Sequence, residues 1–196
     1  MIRILTFIAL AACSFVALAE QTSDDVIDIA TVQLTDVANY RPYSELLSSA
    51  GQPSSEQLEL AAEQGFERVI YLAFTDNDTA IEHEDSTVIK LGMQYVHIPV
   101  DFRNPTVADF QIFARVMQNG KDMKTLVHCQ VNFRASAFSF LYRVIFLDVP
   151  IRDAKADLDS VWATNETWFR FIRSVLEEYD RSHECDGCDW GEHEFL

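Results

Sequence analysis

Residues 69–74 read Val-Ile-Tyr-Leu-Ala-Phe, a run with no charge and no turn former. A short apolar run without alternation is the pattern of a strand covered on both faces, as in a parallel sheet. Two further runs of strand formers follow, residues 95–98 ended by Pro99 and residues 125–128 ended at Cys129. Helical stripes separate them. Ser54 and Gln57 have the spacing of a capping box ahead of Leu58, Ala61 and Ala62, and Gly65 stops that helix. The acidic residues 81–91 read as a second helix, ended by Gly92. Thr106 caps a third, with Asp109 three positions on and a stripe of Val107, Phe110, Phe113, Ala114 and Met117 before Asn119-Gly120. Strand and helix alternate, so the expected fold is α/β: a mainly parallel central sheet with right-handed crossovers, flanked by helices as a three-layer sandwich. Beyond Cys129 the pattern turns helical, in residues 136–149, 153–163 and 168–179, with Pro150 as a breaker.

The chain has 196 residues, enough for one such domain. Residues 1–19 are expected to be a secretory signal, with Arg3 as the only charge, an apolar run over residues 4–16 and Ala17-Leu18-Ala19 as a small-x-small cleavage site. Leu10-Ala11-Ala12-Cys13 offers a competing lipoprotein cut that would leave Cys13 lipidated. Residues 20–42 are polar and weakly patterned and read as a flexible leader, residues 43–182 as the α/β domain, and residues 183–196 as an acidic tail. The apolar leader is short for a membrane span and no later stretch competes with it, so the expected destination is the periplasm or the exterior as a soluble chain. With 31 acidic against 15 basic side chains the formal net charge is -16. A surface of that sign opposes any role that must neutralise a polynucleotide backbone, which argues against nucleic acid as a partner. Oligomeric state is not legible.

The segment Val127-His128-Cys129-Gln130-Val131-Asn132-Phe133-Arg134-Ala135-Ser136 carries the chemistry. A buried strand delivers a thiol into a tight loop, and an Arg closes that loop just before an apolar helix. Free N–H groups at a helix start, and the positive end of its dipole, lower a thiol pKa and bind an oxyanion. Arg134 adds a bidentate fork for the same anion. A thiolate and an anion site in one loop suit nucleophilic attack at phosphorus or sulfur. Cys129 as a plain core residue and Arg134 as a first-turn surface charge is the competing reading. Three cysteines follow the signal segment, and Cys185 with Cys188 is the expected disulfide, which leaves Cys129 unpaired.

This pattern resembles the cysteine-dependent phosphatases of the tyrosine and dual-specificity type, and most nearly the small bacterial phosphatase-like domain also found fused to beta-lactamase-like hydrolases. The likeness runs from Tyr43 to about Val149, through Gly51-Gln52-Pro53-Ser54, Gly65-Phe66, Val69-Ile70-Tyr71-Leu72, His97-Ile98-Pro99-Val100-Asp101 and the Cys129 loop. It implies a cysteine phosphatase-like sandwich that hydrolyses a phosphomonoester, from a small molecule or a phosphoprotein, without cofactor or metal. In that likeness Cys129 is the nucleophile that becomes phosphocysteine, Arg134 holds the phosphoryl oxygens, and Asp101 is the general acid, with Asp109 as a fallback better suited to capping its helix. The backbone of Gln130, Val131, Asn132 and Phe133 would shape the anion cradle, with His128 either orienting the loop or serving as a buried strand histidine.

The sequence departs from that family at three points. Four residues separate Cys129 from Arg134, one fewer than these phosphatases usually have. The loop has no glycine, a place where Asn132 can supply a positive φ. The hydroxyl expected directly after the Arg is displaced to Ser136. The shorter gap resembles rhodanese-like sulfurtransferases, which carry a persulfide on the loop Cys and need no carboxylic acid. A third reading is a catalytically silent anion- or partner-binding module. At the C-terminus, His183, Cys185, Cys188 and His193 have the side chains of a tetrahedral metal site, but a disulfide or a tail tie-down through Trp190 and Phe195 is preferred in an exported chain. Trp162, Trp168, Phe169 and Phe171 read as core aromatics in preference to groove residues.

Overall fold

The computed structural model describes residues 32–191. The signal segment with Cys13, residues 20–31 of the leader, and His193 and Phe195 lie outside the described residues.

Five strands form one sheet in the order β1-β2-β5-β3-β4, from Arg41–Pro42 (β1), Leu47–Ala50 (β2), Arg68–Tyr71 (β3), Gln94–His97 (β4) and Thr125–His128 (β5). Only the β1–β2 pair is antiparallel; β2–β5, β5–β3 and β3–β4 are parallel. Pro42, which has no N–H to give a ladder, sits on the outer strand. The helices are α1 (Ser55–Glu63), α2 (Glu84–Lys90), α3 (Val107–Asn119), α4 (Phe133–Phe146), α5 (Ile151–Asp159) and α6 (Glu166–Glu178). The α/β expectation therefore holds.

Alternation along each strand sends successive side chains to opposite layers. Val69 and Leu126 join Leu58, Ala61 and Val88 in the layer of α1 and α2. Ile70, Val127 and Cys129 join Phe110, Phe113, Phe138, Leu158 and Ile172 in the layer of α3 to α6. α4 lies across the sheet with nearly every residue buried, which is why its sequence is apolar all round and lacks a clear stripe. Both capping boxes form as the spacing indicates: Ser54 Oγ accepts from the Gln57 N–H, and Thr106 Oγ1 accepts from the Asp109 N–H. Asp109 is thereby committed to α3, its Oδ2 accepting the Thr106 N–H at 2.9 Å.

The structure differs from the sequence reading in four places. β2 was not foreseen, because Leu-Ser-Ser-Ala carries neither alternation nor strand formers; its serines are buried because tyrosines satisfy them, Tyr40 Oη donating to Ser48 Oγ at 3.2 Å and Tyr43 Oη lying 2.8 Å from Ser49 Oγ. The folded unit also begins before Tyr43, with a 3-10 turn at Leu34–Asp36 that buries Leu34 and Val37 beside α1. α2 starts at Glu84, after His83 at φ 58°, and is shorter than residues 81–91. Finally, α4 starts at Phe133, three residues earlier than the apolar run suggested, so Arg134 lies inside its first turn.

The tail, where described, packs on the domain. Cys185 and Cys188 form a disulfide with Cα atoms 5.4 Å apart. Trp190 packs edge-on against Phe140 at 5.9 Å and donates its indole N–H to the His183 carbonyl at 3.0 Å, while Lys155 reaches the Asp189 carbonyl. Trp168, Phe169 and Phe171 are core, and Trp162 is half-buried.

Candidate active site

β5 is the middle strand, paired on both sides, and its C-terminal end releases Cys129 at the centre of the sheet. The carboxyl ends of strands are where open α/β sheets place their ligands. The Cys129 N–H continues the ladder by donating to the Ala50 carbonyl at 3.2 Å. The chain then turns through Gln130 to Phe133 and enters α4.

The loop carbonyls are tied to an outer wall. Gln52 N–H donates to the Gln130 carbonyl at 3.1 Å, and the Asn39 side-chain amide donates to the Val131 carbonyl at 3.0 Å. A trans peptide sets its N–H opposite its C=O. With those two carbonyls held outward, the N–H groups of Val131 and Asn132 are turned to the inner side. Phe133, Arg134 and Ala135 form the first turn of α4, whose N–H groups have no intrahelical acceptor. The side chain of Asn132 does not cap the helix; its amide donates to the Asn39 carbonyl at 2.5 Å instead. The result is a concave ring of donors at the positive end of a helix dipole, which suits an oxyanion.

Two backbone features make the ring possible. Asn132 has φ 71° and ψ 0°, the left-handed region that the missing glycine would have supplied. Gly51 bridges Val131 on the wall, and a Cβ there would lie 3.0 Å from the Gln130 and Ala38 carbonyl oxygens. A side chain at position 51 would push the loop off its support. Asn39, Gly51 and Gln52 therefore shape the loop, and only Gly51 and Gln52 stood out in the sequence, as part of the family likeness.

Arg134 is buried with its fork directed at the protein: Nε donates to the Val100 carbonyl at 3.0 Å and Nη1 to the Gln130 side chain at 3.2 Å. Its guanidinium carbon lies 5.2 Å from the centre of the Phe102 ring. Arg134 thus binds the backbone one residue before Asp101, which ties the Asp101 loop to the Cys129 loop. Asp101 itself is exposed, and its carboxylate accepts the Arg103 N–H at 2.8 Å, so the structure brings its loop, and not its carboxylate, onto Arg134. Cys129 is 0 % exposed. Above these residues lies an aromatic group: Phe133 stacks on Trp162 at 4.5 Å, and Phe102 packs against Phe133, Trp162 and Trp168, whose indole donates to the Phe102 carbonyl at 3.0 Å. The Val131 side chain is exposed, and Ser136 Oγ donates to the Phe133 carbonyl at 3.1 Å.

His128 faces the other layer. Its Nε2 lies 2.7 Å from Glu84 Oε1, both groups are buried, and its ring stacks on Tyr71 at 4.7 Å. Gln52 donates to the second Glu84 oxygen at 3.0 Å. His128 is thus a strand histidine that joins β5 to α2 behind the loop, outside the donor ring. Burial pushes the Tyr71 phenol above its ordinary pKa, so it stays neutral beside this pair. Glu84 gave no signal in the sequence beyond one acidic residue among several. Among the described residues, no group of His, Cys, Asp and Glu is arranged to hold a metal ion, and no helix is long and apolar enough to cross a membrane.

Residues 24–165 match the family described as a DSP-PTPase phosphatase fused to NAD+ kinase. A DUF442 protein assigned as a phosphatase, from Shewanella putrefaciens CN-32, is 31% identical, with a TM-score of 0.68 over 74% of this chain and 96% of its own. Two more distant structures share the fold. Tk-PTP in its active form is 16% identical, with a TM-score of 0.61 over 71% of this chain and 97% of its own. A cysteine-to-serine form of TpbA from P. aeruginosa, in complex with pTyr, is 16% identical, with a TM-score of 0.56 over 76% of this chain and 88% of its own. No curated protein matches. The matched span takes in the whole sheet and the loop from Cys129 to Arg134, and on that evidence the chain belongs to the dual-specificity and tyrosine phosphatase family whose nucleophile is a cysteine.

Proposed function

We propose that the protein is an exported phosphomonoesterase that works through a phosphocysteine on Cys129. The observation that carries this reading is the tethering of the Gln130 and Val131 carbonyls to the outer wall, which frees the loop N–H groups beside the start of α4. The Cys129 thiolate attacks phosphorus, the ester oxygen departs with a proton from Asp101, and water then cleaves the sulfur–phosphorus bond to release inorganic phosphate. The loop donors and the Arg134 fork hold the phosphoryl oxygens through both steps. Arg134 Nε exchanges the Val100 carbonyl for a substrate oxygen, and the buried Cys129 must be uncovered for attack. The substrate is a phosphorylated small molecule or phosphoprotein, and export rests on the N-terminal signal pattern.

Intact-protein mass spectrometry of wild type and Cys129→Ser, after incubation with an aryl phosphate and separately with thiosulfate, tests the reading. The expected outcome is a phosphate adduct or steady turnover in wild type, with loss of at least about 10³-fold in the variant. A persulfide adduct alone would assign the chain to sulfur transfer, the reading that the four-residue gap favours, and absence of any adduct or turnover would leave an anion-binding module. Asp101→Asn is expected to slow the first step for poor leaving groups and to remove one limb of the pH–rate profile; an unchanged profile would exclude Asp101 as the acid. The mass of the mature protein reads the export cut, with an N-terminus at Glu20 expected.

A further inference from the structure

Phe102 faces the aromatic group over Arg134, and the residues directly after it turn the other way. Arg103, Asn104 and the following proline form one wall of a cleft of about 370 Å³, and α6 forms the other with Thr167, Arg170, Phe171 and Ser174. No carboxylate lines this cleft. In a chain with 31 acidic and 15 basic side chains that is unexpected, and three other cavities of similar size among the described residues each have at least two carboxylates in their walls. Every polar group that lines it through a side chain is a hydrogen-bond donor or can act as one. Arg103 has no carboxylate within ion-pair distance among the described residues, and no internal acceptor is seen for the side chains of Asn104, Thr167 or Ser174. Arg170 pairs with Glu166 at 2.6 Å, an exposed pair of the kind that contributes little and yields readily to a better ligand.

We propose that this cleft is a second oxyanion site, separate from the Cys129 loop, which takes a phosphoryl or carboxylate group between Arg103 and Arg170. Two guanidinium forks match the planar or tetrahedral oxygens of such a group, and the hydroxyls of Thr167 and Ser174 line the same wall on either side of Arg170. The site adjoins the reaction machinery through the chain itself: the Arg103 N–H holds the Asp101 carboxylate at 2.8 Å. An anion on Arg103 therefore fixes the loop that carries Asp101. The proposal goes beyond the phosphatase reading and does not depend on turnover.

The test uses ¹⁵N-labelled protein, wild type and Arg134→Ala, titrated at constant ionic strength with inorganic phosphate and separately with succinate. The Arg134→Ala form removes the fork of the Cys129 loop but keeps its backbone donors, so the cleft is read at the Arg103 and Arg170 side chains themselves. Saturable shifts of the Arg103 and Arg170 Nε–H resonances in both proteins are expected, with the affinity read at Arg170 falling about tenfold in Arg103→Ala. Tighter binding of phosphate would assign the site to a phosphoryl group, and tighter binding of succinate to a carboxylate. No saturable shift of the Arg103 and Arg170 side chains with either anion in wild type, or binding at Arg170 unchanged by Arg103→Ala, would overturn the proposal. Loss of phosphatase turnover would leave this result untouched.

Discussion

At the scale of single residues, the loop depends on Asn132 adopting a conformation that few side chains tolerate. Its φ of 71° is accessible to Asn at small cost, and its amide gains the Asn39 carbonyl in return. Asn132→Ala keeps the strain and loses the bond, so a stability loss of about 1–2 kcal/mol is expected by urea denaturation. Asn132→Gly removes the strain and loses only the bond, and should lie between Ala and wild type. An alanine variant as stable as wild type would show that the loop relaxes to another shape. The sequence marked Asn132 for this role because the loop lacked Gly, and it marked Cys129 and Arg134 by their spacing. It did not mark Asn39, whose partner is 92 positions away.

Between elements, the pair that matters most is Glu84 on α2 with His128 on β5. The two side chains are 4% and 0% exposed. Removal of one partner leaves the other buried without compensation, so Glu84→Ala is expected to cost about 3 kcal/mol by chemical denaturation. Because His128 directly precedes Cys129, the same variant should loosen the loop, read as faster hydrogen exchange at the Cys129 N–H that bonds Ala50. A loss below about 1 kcal/mol would show that the pair contributes no net stability. His97 and His128 both lie on strands that read as short runs of strand formers, and nothing in that pattern separates a paired core histidine from one that faces a substrate. The distinction comes from α2, which the sequence placed only approximately because its entry residue His83 sits at a positive φ with no glycine or capping side chain to signal it.

For the whole molecule, the tyrosines set the alkaline limit. Burial raises the Tyr43 phenol from 10.0 to about 12, against smaller lowering effects of Ser49 and Arg143. Tyr71, Tyr95, Tyr142 and Tyr179 are raised as well, in each case chiefly by burial. Below pH 10 the folded and unfolded chains both hold these protons, and the stability is fully present. As pH rises from 10 toward 12 the unfolded chain ionises first, so stability falls, by a loss on the order of 2 kcal/mol from Tyr43 alone. Urea midpoints at pH 8, 9.5 and 11 should therefore decline, with a shallower slope in Tyr43→Phe. Equal slopes would remove Tyr43 as a contributor and leave the decline to the other phenols and to the self-repulsion of a chain with net charge -16.

Local sequence alone carries the α/β class, the parallel strands β3, β4 and β5, the two capping boxes, and the Cys129–Arg134 loop at the end of a buried strand. Each of these is written in a local pattern: an apolar run, a capping spacing, or a Cys and an Arg bracketing a helix start. The assembled fold was needed to make Leu-Ser-Ser-Ala an interior strand, to pair His128 with Glu84, to set Arg134 on the Val100 carbonyl, and to turn the Asp101 carboxylate to Arg103. Those outcomes rest on partners that lie far off in the chain, and a polar side chain is equally at home in water or in a buried hydrogen bond until the fold supplies the partner.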